Sequence, residues 1–321
     1  REGRLRESVA QALYARAALA WEAGDLDAVQ QLAEEGLLLA APRAVIRGDL
    51  QVALAAAQAA RGQIHLASRG LASAEKLFEE LGEKASRCVA LCNLAEMRTW
   101  QGLLQQAVIT ARRAQAEAEE IHFRVGRGTA LRVLGDALLE AGEDGEARKA
   151  LGQALSEVQP LGVHQETIAC RWSLARLAAR HQDPTTAEAH LAIARNLAKR
   201  QDPESYGPAI VALSAWACAL TGDAGDARRM LQTAERSSHA LPVPRRARVF
   251  MECARAHQVL GDLVDAERVA RAAAHLCAAR GLKLMDLEAR RLLASLANKP
   301  ADAEGWTREA DAIAAELATE L

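Results

Sequence analysis

Aromatic side chains are scarce in this sequence: five Trp, two Tyr and three Phe, or 3% of 321 residues. A nucleic-acid surface made of stacked rings beside basic runs is therefore not expected. The one short basic stretch, PRRARVF from Pro244, has no companion aromatics and reads as the solvated start of a helix. An excess of either charge is missing too, since 40 Lys and Arg against 42 Asp and Glu leave a formal net charge of -2. That balance excludes a disordered acidic chain and a basic arm. No apolar stretch approaches the roughly 20 residues of a membrane span. Even LAWEAGDLDAVQQLAEEGLLLAA carries acids on every turn. A charged-then-apolar leader is absent and the chain starts REGRLRES without Met, which reads as a segment excised from a longer, cytoplasmic protein.

The motifs of common catalytic chemistries are absent as well. There is no His-Glu-x-x-His, no nucleophile elbow and no phosphate-binding glycine loop. VGRGTA at 125–130 has two glycines but follows one helical pattern and opens another, as a hairpin linker does. The six cysteines, Cys88, Cys92, Cys170, Cys218, Cys253 and Cys277, include no Cys-x-x-Cys pair and have no adjacent His to complete a tetrahedral set. They read as small buried or half-buried side chains, reduced in the cytosol. No enzyme, no metal and no cofactor are expected.

What the chain does have is one phrase written seven times. LGDLVDAERVARAA at 260–273 echoes TGDAGDARRMLQTA at 221–234, and aligned copies place an Ala at Ala28, Ala67, Ala107, Ala147, Ala187, Ala227 and Ala266. Successive anchors are 39 or 40 residues apart, the signature of a repeat array. The phrase opens with Gly24, Gly62, Gly102, Gly142, Gln182, Gly222 and Gly261. Glycine at a helix C-terminus turns the chain through the left-handed region without a Cβ penalty. The following Asp25, Asp223, Asp262 or Glu143 suits an N-cap, and Asp226, Asp265 and Glu146 three residues on complete capping-box-like pairs. Seven residues before the turn stands a small residue, from Ala17 through Gly135 to Ala254. Four and seven residues after the anchor come pairs such as Leu71 and Ala74 or Leu151 and Ala154, which is helical spacing on one face. The expected fold is all-α, a solenoid of antiparallel helix pairs.

Small residue, seven-residue step, Gly, five-residue step, Ala, then apolar residues four and seven on: this pattern resembles the tetratricopeptide repeat, over roughly residues 5 to 275. The resemblance implies a right-handed superhelix, a single solenoid over 1–321 of about seven helix pairs, and a degenerate C-terminal repeat or capping helix at 283–320. The units are longer than the usual ~34 residues, and Leu and Ala replace most of the family's large aromatics. Phrases such as LGEK and LGVH between hairpins resemble the helical-repeat regions of bacterial maltose-regulator-like activators and of multidomain Ser/Thr kinases.

In tetratricopeptide repeats the first helices line a concave groove. Two of their columns vary here from copy to copy: Tyr14, Val52, Cys92, Arg132, Trp172, Ala212, Met251, and Ala18, Ala56, Glu96, Asp136, Arg176, Trp216, Arg255. Asn93, Glu96, Arg132, Asp136, Trp172, Arg176, Trp216, Met251 and Arg255 are accordingly the expected binding residues. Trp172 and Trp216 are expected diagonally adjacent in the groove, and in the plainest structural alternative both rings fill gaps between short Ala-rich helices while Arg176 pairs with Asp136. The leading function is a scaffold or sensor that holds a protein or peptide in a long open groove, another domain of a parent chain included, and so regulates a linked signalling or transcription domain. A small-molecule effector domain with a closed pocket and an oligomerisation spacer are the alternatives. Neither nucleic acid nor membrane is an expected partner.

Overall fold

The computed structural model describes residues 2–201 and 203–319. The expected 1–321 unit and the 283–320 element run into residues 1, 202, 320 and 321, which lie outside the described residues. Sixteen α-helices and no strand are formed among the described residues. The first eight are α1 (Glu2–Glu22), α2 (Leu26–Leu39), α3 (Val45–Ala60), α4 (Ile64–Leu81), α5 (Lys84–Gln101), α6 (Leu104–Glu120), α7 (Arg124–Ala141) and α8 (Asp144–Val158). Then come α9 (His164–Arg180), α10 (Pro184–Gln201), α11 (Pro203–Thr221), α12 (Ala224–Ser237), α13 (Val243–Leu260), α14 (Leu263–Ala278), α15 (Lys283–Leu296) and α16 (Pro300–Thr319). A 3₁₀ turn at Ser238–Ala240 precedes α13. Residues 283–319 thus form a helix pair, α15 and α16.

Every glycine of the repeated phrase has positive φ, between +72° at Gly24 and +87° at Gly222, and Gln182 keeps the same conformation at +56°. A second set of left-handed residues, Gly82, His122 and Gly162, falls midway between them. The chain therefore turns about every 20 residues, which explains why each repeat is longer than 34. The N-caps are less uniform than the sequence implies. Asp25 accepts from the Ala28 amide at 3.0 Å and Asp223 from the Asp226 amide at 3.1 Å. Glu143 makes no side-chain cap, nor does Asp262, whose carboxylate is drawn away by a two-pronged bond from Arg228 on α12 at 2.7 and 2.8 Å.

The anchoring alanines from Ala67 to Ala266 are fully buried, as are the small residues upstream of each turn. Ala28 is an exception: the first phrase is one residue short, and Val29, five residues after Gly24, occupies the buried place. Gly135 shows why the upstream column stays small, because a Cβ there would stand 2.6 Å from Leu151 Cγ on α8. VGRGTA is helix, not linker. It forms the first turns of α7, where a Cβ on Gly126 would meet the Phe123 ring and one on Gly128 would meet Val158.

Consecutive helices pack on one another, and each odd helix also packs on the next odd one. The odd helices form an inner layer and the even ones an outer layer, as unequal radii require of a superhelix. The curve closes on itself. Val243, Ala247, Cys277, Leu282 and Met285 from α13 to α15 share one apolar cluster with Ala55, Ala59, Leu71, Leu94 and Met97 from α3 to α5. Arg280 also donates to the Arg61 carbonyl at 3.0 Å across this seam. The groove on the inner face is thereby bounded by helices from both ends of the array.

Candidate functional site

The interior is a cavity of about 590 Å³ lined by residues from α1 to α15, chiefly from odd helices. Counted from each small residue, positions three before, one after and five after are spaced by four, so they form one stripe along each first helix. Arg132, Asp136 and Glu140 on α7, Glu96 and Trp100 on α5, Trp172 and Arg176 on α9, and Ala56 and Ala60 on α3 all face the cavity. One end is apolar, with Ala59, Leu71, Met97, Leu284 and Met285; the other is charged.

At the charged end Arg132 is the centre. Its guanidinium pairs with Glu166 at 2.6 Å, Asp136 at 2.9 Å and Glu96 at 3.5 Å. Ser173 donates to Asp136 from the adjacent helix. Burial pushes the Glu96 and Asp136 carboxyls up, and Arg132 offsets this only in part. Burial alone would lower the Arg132 pKa, but Glu166, Glu96 and Asp136 outweigh it and hold the guanidinium charged. The Trp172 ring meets Tyr206 edge to face, with centroids 6.4 Å apart. Arg176 lies 5.2 Å from the Trp172 ring and Arg245 3.9 Å from the Tyr206 ring. Trp172 Nε1 is buried and has no hydrogen-bond partner among the described residues.

A second network runs across the interior. Glu140 accepts from Arg176 at 2.6 Å and from Arg248 on α13 at 2.9 Å. Arg248 continues to Glu288 on α15 at 3.1 Å, which Arg255 also reaches at 2.9 Å. Burial disfavours the Glu140 anion, but Arg248 and Arg176 overcome it and hold the carboxyl well below the usual range.

Six of the nine expected binding residues, Asn93, Glu96, Arg132, Asp136, Trp172 and Arg176, come together on the cavity wall. The other three do not line it. Met251 is fully buried, Trp216 is 7% exposed, and Arg255 covers the Trp216 ring at 5.4 Å while bonding to Glu288. Trp172 therefore packs on Tyr206 rather than diagonally on Trp216, and Arg176 pairs with Glu140 rather than Asp136. Two arginines of PRRARVF are not solvated: Arg245 covers Tyr206 and Arg248 is buried in the network. Sequence reasoning missed Glu140 and Arg248, although the same column comparison holds them. The column five after the small residue reads Glu22, Ala60, Trp100, Glu140, Arg180, Leu220, Val259. The column six before it reads Gln11, Asp49, Val89, Thr129, Ala169, Ala209, Arg248, with Arg248 its one basic residue. No group of three or more His, Cys, Asp or Glu suited to a metal ion occurs among the described residues. Nor is any described helix long and apolar enough to cross a membrane.

No family model matches this sequence, and no curated protein matches it. Solved structures do match. The chain is similar to a Rap protein complexed with competence and sporulation factor (13% identity, 96% of this chain and 75% of that one, TM-score 0.63). It is also similar to the Rap conjugation gene regulator of plasmid pLS20 in complex with the Phr* peptide (12%, 83% and 72%, TM-score 0.69). A third likeness is to aspartyl phosphate phosphatase F from Bacillus subtilis (10%, 85% and 70%, TM-score 0.65). At such identities the likeness speaks for the fold, an all-α solenoid of the tetratricopeptide type. The third also overturns the expectation that the segment is not an enzyme. A protein of this same fold is named a phosphatase, so a helical solenoid without familiar catalytic motifs is not thereby inactive.

Proposed function

We propose that this chain is a peptide-binding sensor that holds a short peptide in its interior cavity and signals by the closure of its superhelix. The observation that carries this reading is the amphipathic cavity of about 590 Å³ on the inner stripe. Its volume lies in the range of sites that enclose small ligands, and aromatic anchors beside Arg have the composition of binding hot spots. An extended peptide would lay apolar side chains against Met97, Leu284 and Met285 and polar groups against Asn93, Asp136 and Glu166. Two proteins of the same fold were solved in complex with competence and sporulation factor and with the Phr* peptide. The cavity's volume also fits a second reading, the small-molecule effector domain. The proposed setting is cytoplasmic, with the whole solenoid acting as one unit that regulates a linked or separate signalling partner. Its resemblance to maltose-regulator-like activators and multidomain kinases supports a linked one.

The test is selection. The protein is mixed with a pool of random hexapeptides, passed over a sizing column, and the retained peptides are identified by mass spectrometry. Wild type should retain a restricted sequence class, and Trp172→Ala should lose at least tenfold of that retention while keeping its helical circular dichroism. A pool that passes through unselected at micromolar protein overturns the peptide reading. A retained non-peptide mass from extract would favour the effector instead.

A further inference from the structure

Glu252 takes no part in the cavity wall, yet it is the most deeply placed charge of the cross-ring network. It sits on α13 with no exposed surface, and neither carboxylate oxygen has a hydrogen-bond partner among the described residues. Among the described residues its one ion contact is Arg176 Nε on α9 at 3.5 Å, beyond hydrogen-bonding reach. The groups facing it come from every side of the ring. Arg176 is on α9, Glu140 on α7, and Arg248 and Arg255 on α13 itself. Glu288 on α15 holds both of the last two. Beside Glu252 in the chain lies Cys253, whose thiol burial pushes well above its ordinary range, so it stays neutral. The α11 helix packs on α13 and brings no charged residue over 206–221.

Three arginines, Arg176, Arg248 and Arg255, would be matched by three carboxylates if Glu252 were ionised. The match is incomplete in geometry. Glu140 and Glu288 take the close hydrogen bonds, while Glu252 is left to bear its desolvation with one ion contact at 3.5 Å. A buried anion without hydrogen bonds is costly, and protonation removes that cost.

We propose that Glu252 is a proton-operated clasp: neutral, it lets α13 and α15 close across the interior onto α7 and α9, and ionised, it drives the ring open. Burial raises its pKa from the ordinary glutamate value to about 7, more than Arg176, Arg248 and Arg255 lower it. In the open ring, where water reaches the carboxyl, the ordinary value returns. The closed state thus holds the proton more tightly. Closure is fully favoured below the open-state value and weakens as pH rises through about 7. Between pH 6 and 8 the closed-to-open ratio should fall about tenfold from this one group. Glu140 does not oppose the change in that window, because its carboxyl stays ionised far below it. The cavity would open toward alkaline pH, whichever ligand it takes.

Hydrogen-exchange mass spectrometry on the ligand-free chain tests this independently of the peptide reading. The exchange rate of α13 and α15 peptides in wild type is divided by that in Glu252→Gln at each pH, which cancels intrinsic chemistry. The ratio should rise about tenfold from pH 6 to 8, with α1 and α2 peptides unchanged as the control. A flat ratio, or faster exchange in the variant at every pH, overturns the clasp. Should the variant not fold, ¹³C NMR of the wild-type glutamates decides. A Glu252 carboxyl titrating in the ordinary glutamate range refutes the proposal, and one titrating near 7 supports it.

Discussion

Glu140 joins distant parts of the interior, for it holds two arginines from different repeats on one carboxylate. Both Arg176 and Arg248 are buried. Removing the carboxylate charge leaves two buried cations short of a partner, which costs about 3–5 kcal/mol when one side of a buried pair is lost. Glu140→Gln should lower the urea-unfolding free energy by that amount at pH 7. The sign with pH follows from the depressed carboxyl. Its stabilisation is complete above the ordinary glutamate range and disappears as pH falls through the low folded value. Urea midpoints of wild type should therefore drop on acidification below about pH 4.5, and those of the variant should drop less. A variant as stable as wild type, or equally acid-sensitive, would show that Glu140 is not the centre of the network.

At the level of the helix and its turn, the recurring left-handed residue decides where each element ends. Six copies of the phrase use glycine; the fifth uses Gln182 at φ +56°. A non-glycine residue in that region costs about 1–2 kcal/mol, of which part is returned by its smaller loss of backbone freedom on folding. Gln182→Gly should therefore stabilise the chain by about 0.5–1 kcal/mol, read as a higher thermal midpoint with unchanged helicity. A lower midpoint would mean that the glutamine side chain, not the turn, is what matters there. Helix starts were less legible than helix ends. Asp262 has the right type and place for an N-cap, but Arg228 lies one repeat back and takes its carboxylate.

The molecule as a whole depends on closure, and closure rests on an apolar seam between distant repeats. Met285 on α15 is buried against the α3–α5 side of that seam. Met285→Glu would place an unpaired charge there, and opening the ring is the cheapest way to hydrate it. The expected result is a larger radius of gyration by small-angle scattering with circular dichroism unchanged, and easier acrylamide quenching of the cavity tryptophans. An unaltered radius would show that the ring stays closed without the seam.

The repeat, the turns, the buried columns and the two varying inner columns that hold Glu96, Arg132, Asp136, Trp172 and Arg176 were readable from the sequence, because they follow from spacings within one repeat. Helical periodicity and a glycine's freedom act over a few residues, so they leave a local trace. Which stripe residues end in the cavity and which in the core depends on how far the superhelix curls, and that angle accumulates over many repeats. Met251 and Trp216 occupy the same columns as Arg132 and Asp136, yet the curl carries them away from the cavity. Arg248 and Glu140 are 108 residues apart and meet only because the ring closes. Contacts of that kind are set by the packing of the whole array, and no local pattern along the chain records them.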